Sequence, residues 1–156
     1  MRLKLYKNEQ DLNFLRKKSR EVDLITGKIY IKQLLTALHW GSIKNKNPIG
    51  LASNQIGLTG SVFIAKISNK WRGFINPEVV KHSKEIINFN EGCLSLKPNK
   101  DYRTKRYKKI TIKFLDDNGV ERHEEFSGFD SIVIQHEIDH LKGKLCKDGG
   151  INKKES

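Results

Sequence analysis

Cysteine and long apolar stretches are both scarce in this sequence, and each absence excludes a class of protein. Only Cys93 and Cys146 occur among the 156 residues. Small secreted domains are usually held together by several disulfides, so two distant cysteines favour buried or idle thiols over one disulfide. No stretch approaches the ~18 consecutive apolar residues of a membrane span, and the N-terminus lacks the apolar core of a secretory signal. We therefore expect a cytoplasmic protein that does not associate with membranes.

Acidic residues are also few compared with basic ones. The chain carries 30 Lys and Arg against 18 Asp and Glu, which gives a formal net charge of +12. Such an excess attracts polyanions such as RNA, but no aromatic-interleaved motif of an RNA-recognition domain accompanies it. The densest basic segment, residues 97–109, is interpreted either as a solvated strand edge or as a path for a polypeptide or for ribosomal RNA. Arg106 of this segment could instead pair with Asp139 of the late helix. Ribosome contact through a basic surface is therefore a possible partner interaction, and we expect a monomer.

The length and the apolar pattern together predict one α+β domain over residues 1–156. Apolar residues that recur near every 3.6 positions predict helices over residues 11–20, 29–43 and 127–141. Strands are predicted over residues 61–67, 72–75, 85–89, 108–115 and 120–126. Asp116 to Gly119 is a hairpin turn signal between the last two strands. Two helices, several antiparallel strands and one late helix make an α+β arrangement.

The late helix carries the pattern His-Glu-x-x-His at residues 136–140. Residues four apart lie one turn above each other, so His136 and His140 can share one divalent metal ion. Glu137 can then reach a water molecule at that ion. The alternative is a surface helix that has the pattern by chance. The apolar face of this helix enters the core at these positions, however, and two buried imidazoles without a metal would need other hydrogen-bond partners.

A third metal ligand is expected upstream, because no His and no Glu follow the helix before Glu155. Cys93 is the candidate, within the turn-prone segment Glu91-Gly92-Cys93-Leu94-Ser95. One thiolate and two imidazoles leave a fourth position open for water, which is the arrangement of a catalytic rather than a structural metal site. Cys146 is interpreted as a core thiol.

Three segments together resemble the peptide deformylase family. They are Gly50-Leu51-Ala52-Ser53-Asn54-Gln55, Glu91-Gly92-Cys93-Leu94-Ser95 and Gln135-His136-Glu137-Ile138-Asp139-His140. The first is similar to the family's Gly-x-Gly-Leu-Ala-Ala-x-Gln, and the other two match their family motifs in full. They occur in the family's order and at comparable spacing, so the resemblance covers most of the chain.

The resemblance implies a metal-dependent hydrolase that removes the formyl group from the N-terminal N-formylmethionine of nascent polypeptides and releases formate. It implies antiparallel strands around the metal-binding helix, and one Fe(II) ion that Zn, Ni or Co can replace. The implied metal ligands are Cys93, His136 and His140. The implied catalytic groups are Glu137 as general base and acid, Gln55 and the backbone N–H of Leu94 as oxyanion donors, and the backbone around Gly50 as a strand that pairs with the substrate.

The methionine side chain needs an apolar pocket, and apolar residues adjoin all three motifs. The predicted pocket residues are Ile49, Phe89, Phe129, Ile132 and Val133, each of which could equally be ordinary core. Two positions depart from the family pattern: Pro48 stands at the usual first glycine and Ser53 at the usual second alanine. Pro48 cannot donate a backbone hydrogen bond to a peptide. The short segment after the metal helix resembles phage-encoded members that lack the C-terminal helix, so docking to the ribosome through such a helix is not expected.

Two other functions compete with deformylation. One is a general metallopeptidase that uses the same helix on internal peptide bonds, although the usual downstream ligand is absent. The other is a catalytically silent, ribosome-associated protein of the same fold. The intact set of metal ligands and the presence of Glu137 favour the enzyme.

Overall fold

Four α-helices and seven β-strands make up residues 1–151, the part of the chain that the computed structural model describes. The helices are α1 (Glu9–Leu15), α2 (Leu24–Ala37), α3 (Gly41–Lys44) and α4 (Gly128–Leu141). The strands are β1 (Gly50–Ala52), β2 (Val62–Ile67), β3 (Lys70–His82), β4 (Ile86–Glu91), β5 (Tyr102–Tyr107), β6 (Lys109–Leu115) and β7 (Glu121–Ser127). Short 3-10 helices follow at Ser53–Ile56 and Cys146–Asp148. The predicted α+β class is confirmed.

A five-stranded antiparallel sheet in the order β1-β2-β3-β6-β7 forms the centre of the fold, and β4 and β5 form a separate two-stranded ribbon. Alternate residues of β2 enter two different cores, as the two-residue period of a strand requires. Phe63 and Ala65 pack with α4, whereas Val62 and Ile64 pack with α2. The sheet is thus covered by α2 on one face and by α4 on the other.

Helix α4 begins and ends close to its predicted bounds. It starts at Gly128, directly after β7, and ends at Leu141. Gly143 follows with a φ of 78°, a left-handed conformation that glycine adopts without a steric cost. Nine residues of α4 are buried, so the helix that carries the His-Glu-x-x-His pattern is part of the core. Among the residues that the structure describes, no helix is long and apolar enough to cross a membrane.

The other two predicted helices are present, but their predicted bounds were wrong. Helix α2 begins at Leu24 instead of residue 29, because the Asp23 side chain accepts a hydrogen bond from the Thr26 backbone N–H at 2.7 Å and caps the helix. It ends at Ala37 instead of residue 43. Helix α1 ends at Leu15 instead of residue 20, and Arg20 instead pairs with Gly60 in an isolated bridge.

Two strands were not predicted and one was predicted too short. Strands β1 and β5 are additional, and β3 continues to His82 instead of ending at Ile75. Asn76 takes a positive φ of 50° and the register shifts between Ile75 and Glu78, so the strand continues past Pro77 through a bulge. The predicted hairpin at Asp116–Gly119 is confirmed, since β6 and β7 pair directly across it.

Candidate active site

The structure brings the three predicted metal ligands together. His136 and His140 lie one turn apart on α4, and their Nε2 atoms are 3.2 Å apart. Cys93 lies in the segment after β4, and its Sγ is 3.3 Å from Nε2 of His140. One ligand atom from each of the three residues lies within 4.8 Å of the others. A thiol and two imidazoles therefore point at one common volume.

A buried ion network holds one of these ligands in place. The Glu91 carboxylate accepts hydrogen bonds from Arg106 Nε at 2.7 Å and from Arg106 Nη2 at 2.8 Å. Oε1 of Glu91 also lies 2.7 Å from Nδ1 of His136. In the neutral imidazole, donation from Nδ1 of His136 to Glu91 leaves Nε2 with a lone pair that faces Cys93 and His140. Arg106 extends the network to Asp139 through a hydrogen bond of 2.5 Å.

Sequence reasoning predicted only part of this network. The pair of Arg106 with Asp139 was anticipated, but the role of Glu91 was not. Arg106 is 2% exposed, so it differs from the other basic residues of the 97–109 segment, which are exposed. The only sequence signal for Glu91 was its place two residues before Cys93.

The network and the burial of the site change the acidity of its groups. Burial raises the pKa of Glu91, but hydrogen bonds from Arg106 and His136 outweigh it and bring that pKa down to about 2. Burial and the neighbouring His136 hold the pKa of His140 well below its usual value, so this imidazole is neutral. Burial also lowers the pKa of His136, but hydrogen bonds to Cys93 and Glu91 raise it well above the usual value.

Glu137 lies against β1, next to the ligands. Its side chain is buried, and its Oε1 has no hydrogen-bond partner among the described residues. A Cβ atom built at Gly50 would lie 2.5 Å from Oε2 of Glu137, so the carboxylate occupies space that only a glycine leaves free. Burial raises the pKa of Glu137 to about 7. A buried carboxyl oxygen without a partner in the protein needs a ligand or water to complete its hydrogen bonds.

The predicted oxyanion donors lie beside the same volume. Gln55 accepts a hydrogen bond from the Ala52 N–H through Oε1 at 3.0 Å, which fixes the amide so that Nε2 faces the site. Nε2 is 3.1 Å from Ser95 Oγ and 3.8 Å from Cys93 Sγ. Leu94 follows Cys93 directly and lines the same cavity.

A cavity of about 650 Å³ opens onto these groups. All five predicted pocket residues line it: Ile49, Phe89, Phe129, Ile132 and Val133. The rings of Phe89 and Phe129 are 5.8 Å apart at their centroids, and both side chains remain partly exposed at the mouth. Apolar walls with a few polar groups at the bottom are typical of a small-ligand site.

Comparison with known proteins identifies the family. The sequence profile described as polypeptide deformylase matches residues 3–156. The chain belongs to the polypeptide deformylase family. It is 39% identical over 142 residues to Peptide deformylase 1 of Clostridium perfringens, with 88% of this chain and 92% of that protein covered. It is 34% identical over 152 residues to the peptide deformylase of Borreliella burgdorferi, with 95% and 86% covered.

Solved structures of the family share the fold. The crystal structure of peptide deformylase from Thermotoga maritima matches with a TM-score of 0.83 and 28% identity, and covers 97% of each chain. A probable peptide deformylase from Synechococcus phage S-SSM7 matches with a TM-score of 0.81 and 29% identity, over 96% of this chain and 99% of the phage chain. The predicted family and fold are thereby confirmed. The chain is a metal-dependent enzyme that hydrolyses the N-formylmethionine amide of nascent polypeptides.

The residues present in this deformylase fit a divalent metal ion. One thiolate and two imidazoles are donors that suit Zn or Fe, and three protein ligands leave room for water. Oε1 of Glu137, which has no hydrogen-bond partner in the described part of the chain, also fits a bound ion with a water molecule.

The two cysteines are both free, so the predicted absence of a disulfide is confirmed for the pair. Cys146 is buried and packs with Leu96 and Leu145, as expected for a core thiol.

Proposed function

We propose that Cys93, His136 and His140 hold the metal, and that Glu137 moves the proton during deformylation. The single observation that carries this proposal is that Sγ of Cys93 and the Nε2 atoms of both histidines lie together beside Glu137, whose buried Oε1 has no hydrogen-bond partner among residues 1–151. A divalent metal supplies Lewis acidity that makes water a nucleophile near neutral pH. Fe(II) is the proposed native metal, with Zn, Ni or Co as substitutes.

The chain's own groups account for the rest of the reaction. Glu137 accepts a proton from the attacking water at its carboxylate and later donates it to the nitrogen of the leaving methionine. Nε2 of Gln55 and the backbone N–H of Leu94 donate to the oxygen that becomes negative on the formyl carbon. Loss of one such donor typically costs about 3 kcal/mol of transition-state stabilisation. Pre-positioning of Gln55 by the Ala52 N–H reduces the reorganisation that this requires.

Substrate binding is proposed to use β1 and the apolar walls of the cavity. β1 lies at the end of the five-stranded sheet, with β2 on one side only. An extended peptide can pair with the other edge at Gly50, where a side chain would collide with Glu137. The methionine side chain would then enter between the apolar wall residues, which are Ile49, Phe89, Phe129, Ile132 and Val133.

The organisation around this site is also proposed. One domain over residues 1–156 carries the activity, and a monomer suffices because the groups assigned above lie on one chain. The cytoplasm is the proposed location, because nascent chains are made there.

Contact with ribosomal RNA would use exposed basic residues of β5 and of the segment that precedes it. Neutralising Lys100, Arg103 and Lys105 together should weaken ribosome association and reduce its salt dependence, and unchanged binding would contradict this contact.

The test of the mechanism is formate release from a short N-formyl-Met peptide by protein loaded anaerobically with Fe(II) or Ni(II). The Glu137→Gln variant should keep its metal and lose about 10²- to 10⁴-fold in kcat. Glu121→Gln, which changes an exposed carboxylate on β7, is the matched control and should remain active. Full activity of Glu137→Gln would contradict the role of Glu137. No formate from metal-loaded wild type would favour the catalytically silent alternative.

A further inference from the structure

The outer part of the substrate cavity carries more positive than negative charge. Three exposed lysines line it: Lys46 from the segment before β1, and Lys97 and Lys100 from the segment between β4 and β5. We refer to these three as the rim lysines. None of them forms an ion pair within residues 1–151, although Lys100 lies over the ring of Tyr102 with its Nζ 5.1 Å from the centroid.

The negative charges in the same lining do not balance the rim lysines. Asp101 is the one exposed acid of the lining. Glu91 is buried and paired with Arg106, and Glu137 lies at the buried end of the cavity against Gly50. The mouth therefore keeps a net positive charge in addition to the positive field of the whole chain.

The geometry of β1 determines where a bound polypeptide must leave the cavity. The reacting end lies at Gly50, where Glu137 packs against the backbone. In the direction of Leu51 and Ala52 the strand is fully buried and is followed by the 3-10 helix Ser53–Ile56. In the other direction Ile49 and Lys46 are exposed. A peptide paired with this edge thus passes toward Lys46, out of the cavity that Lys97 and Lys100 also line.

We propose that the rim lysines select among nascent chains, favouring those with acidic residues shortly after the formylmethionine. This inference rests on the proposed function and concerns the residues that follow the methionine. Each rim lysine would act as an exposed point charge whose attraction to a carboxylate is modest and screened by salt. Three such charges around one exit, with one opposing acid, add up to a measurable preference.

Three peptides with the same first two residues test the proposal: formyl-Met-Ala followed by two glutamates, by two serines or by two lysines. At low salt, kcat/KM of formate release should be about tenfold higher for the di-acidic than for the di-basic peptide. The ratio should approach one in about 1 M salt, where the Debye length is about 3 Å. The deformylated di-acidic peptide should also inhibit more strongly than the di-basic one, which measures binding separately from turnover.

Two triple variants of equal charge separate the rim from the net charge of the protein. Lys46→Gln, Lys97→Gln and Lys100→Gln combined should reduce the ratio to about two or less. The control combines Lys28→Gln, Lys32→Gln and Lys70→Gln, three exposed residues outside the cavity lining, and should keep most of the ratio.

The outcomes distinguish this inference from the proposed function. A ratio near one for wild type, with the di-serine peptide hydrolysed, overturns the role of the rim lysines and leaves deformylation intact. If the ratio of kcat/KM between the di-acidic and the di-basic peptide falls equally in both triple variants, the preference comes from net charge, and the role of the rim lysines is again overturned. If the di-serine peptide releases no formate either, the proposed function itself fails.

Discussion

Nδ1 of His136 lies 2.7 Å from Oε1 of Glu91, and this contact joins α4 to the end of β4. The same carboxylate is bound by Arg106, which in turn binds Asp139 on the helix. Charge-assisted hydrogen bonds thereby join the ribbon of β4 and β5 to α4. The position of His136, a proposed metal ligand, therefore depends on Glu91, which is not one of the three proposed ligands.

The Glu91→Gln variant should lose about ten- to a hundredfold in metal affinity, because Gln supports His136 without a charge. It should also lower the free energy of unfolding by about 3 kcal/mol, since the Arg106 guanidinium loses its buried counter-ion. Competition with a chromogenic chelator and urea unfolding measure the two effects. Glu124→Gln is the control: it removes a partly exposed pair with Arg72 and should cost less than about 1 kcal/mol. Equal effects of the two variants would contradict this account.

The two cysteines should differ sharply when each is replaced by alanine. Cys93→Ala removes a proposed ligand, so the metal content of the purified protein should fall well below one ion per chain. Cys146→Ala removes a buried thiol that packs with Leu96 and Leu145, and its metal content should match that of wild type. Elemental analysis after gel filtration gives both numbers. The reverse pattern would mean that the ligand assignment is wrong.

Replacement of Gly50 by alanine should damage catalysis more than stability. The added Cβ would lie 2.5 Å from Oε2 and 2.8 Å from Cδ of Glu137, so the carboxylate must move away from its position. We expect kcat to fall by about a hundredfold, which formate release measures. Gly41→Ala is the control, because nothing lies within 4 Å of its Cβ position. Comparable activity of the two variants would show that Glu137 tolerates displacement.

Phe129 and Phe126 are close in sequence but should respond in opposite ways to alanine. Phe129 is 52% exposed at the cavity mouth, so Phe129→Ala should lower kcat/KM about tenfold with little change in stability. Phe126 is 5% exposed and packs edge-on against Phe74, so Phe126→Ala should cost about 3 to 5 kcal/mol in unfolding free energy. Formate release and urea unfolding separate the two effects. A stability loss for Phe129→Ala as large as for Phe126→Ala would place Phe129 in the core.

Asp11 should make the fold sensitive to acid. A hydrogen bond from Arg2 is the main cause that lowers the pKa of Asp11 from 3.8 to about 2. A depressed pKa stabilises the folded state above the unfolded value, and this contribution is lost as the pH falls from about 4 to about 2. Asp11→Asn should therefore be about 1 kcal/mol less stable than wild type near neutral pH, a modest value because Arg2 is 58% exposed. In urea unfolding, the free energies of the two proteins should become equal near pH 2. A difference in unfolding free energy that stays constant with pH would show that ionisation of Asp11 is not coupled to stability.

The parts of the site that sequence reasoning predicted are those with a local signal. The His-Glu-x-x-His spacing and the apolar period of α4 are both contained in one helix, so the spatial meeting of His136 and His140 followed from helix geometry. The start of α2 was missed although Asp23 is a typical cap, because the apolar pattern was traced only from residue 29 onward. The cap alone would have corrected the boundary.

The parts that were missed depend on contacts between distant segments. Strand β5 reads Tyr-Arg-Thr-Lys-Arg-Tyr and has no apolar alternation, so no period indicated a strand. Its inward positions are Thr104 and Arg106, and both are polar because they face Glu91 rather than an apolar core. A buried ion network of this kind leaves no hydrophobic pattern in the sequence.

The division of the site among three segments has a consequence for biosynthesis. A hydrogen bond joins the Asn54 side chain to the backbone oxygen of His140, across 86 residues of chain, and Cys93 comes from a third segment. The three proposed ligands are spread over residues 93–140, so the set is complete only when the segment after β4 and α4 have come together. With these ligands, metal uptake is expected to follow the packing of α4 against β1, so it would report on a late step of folding.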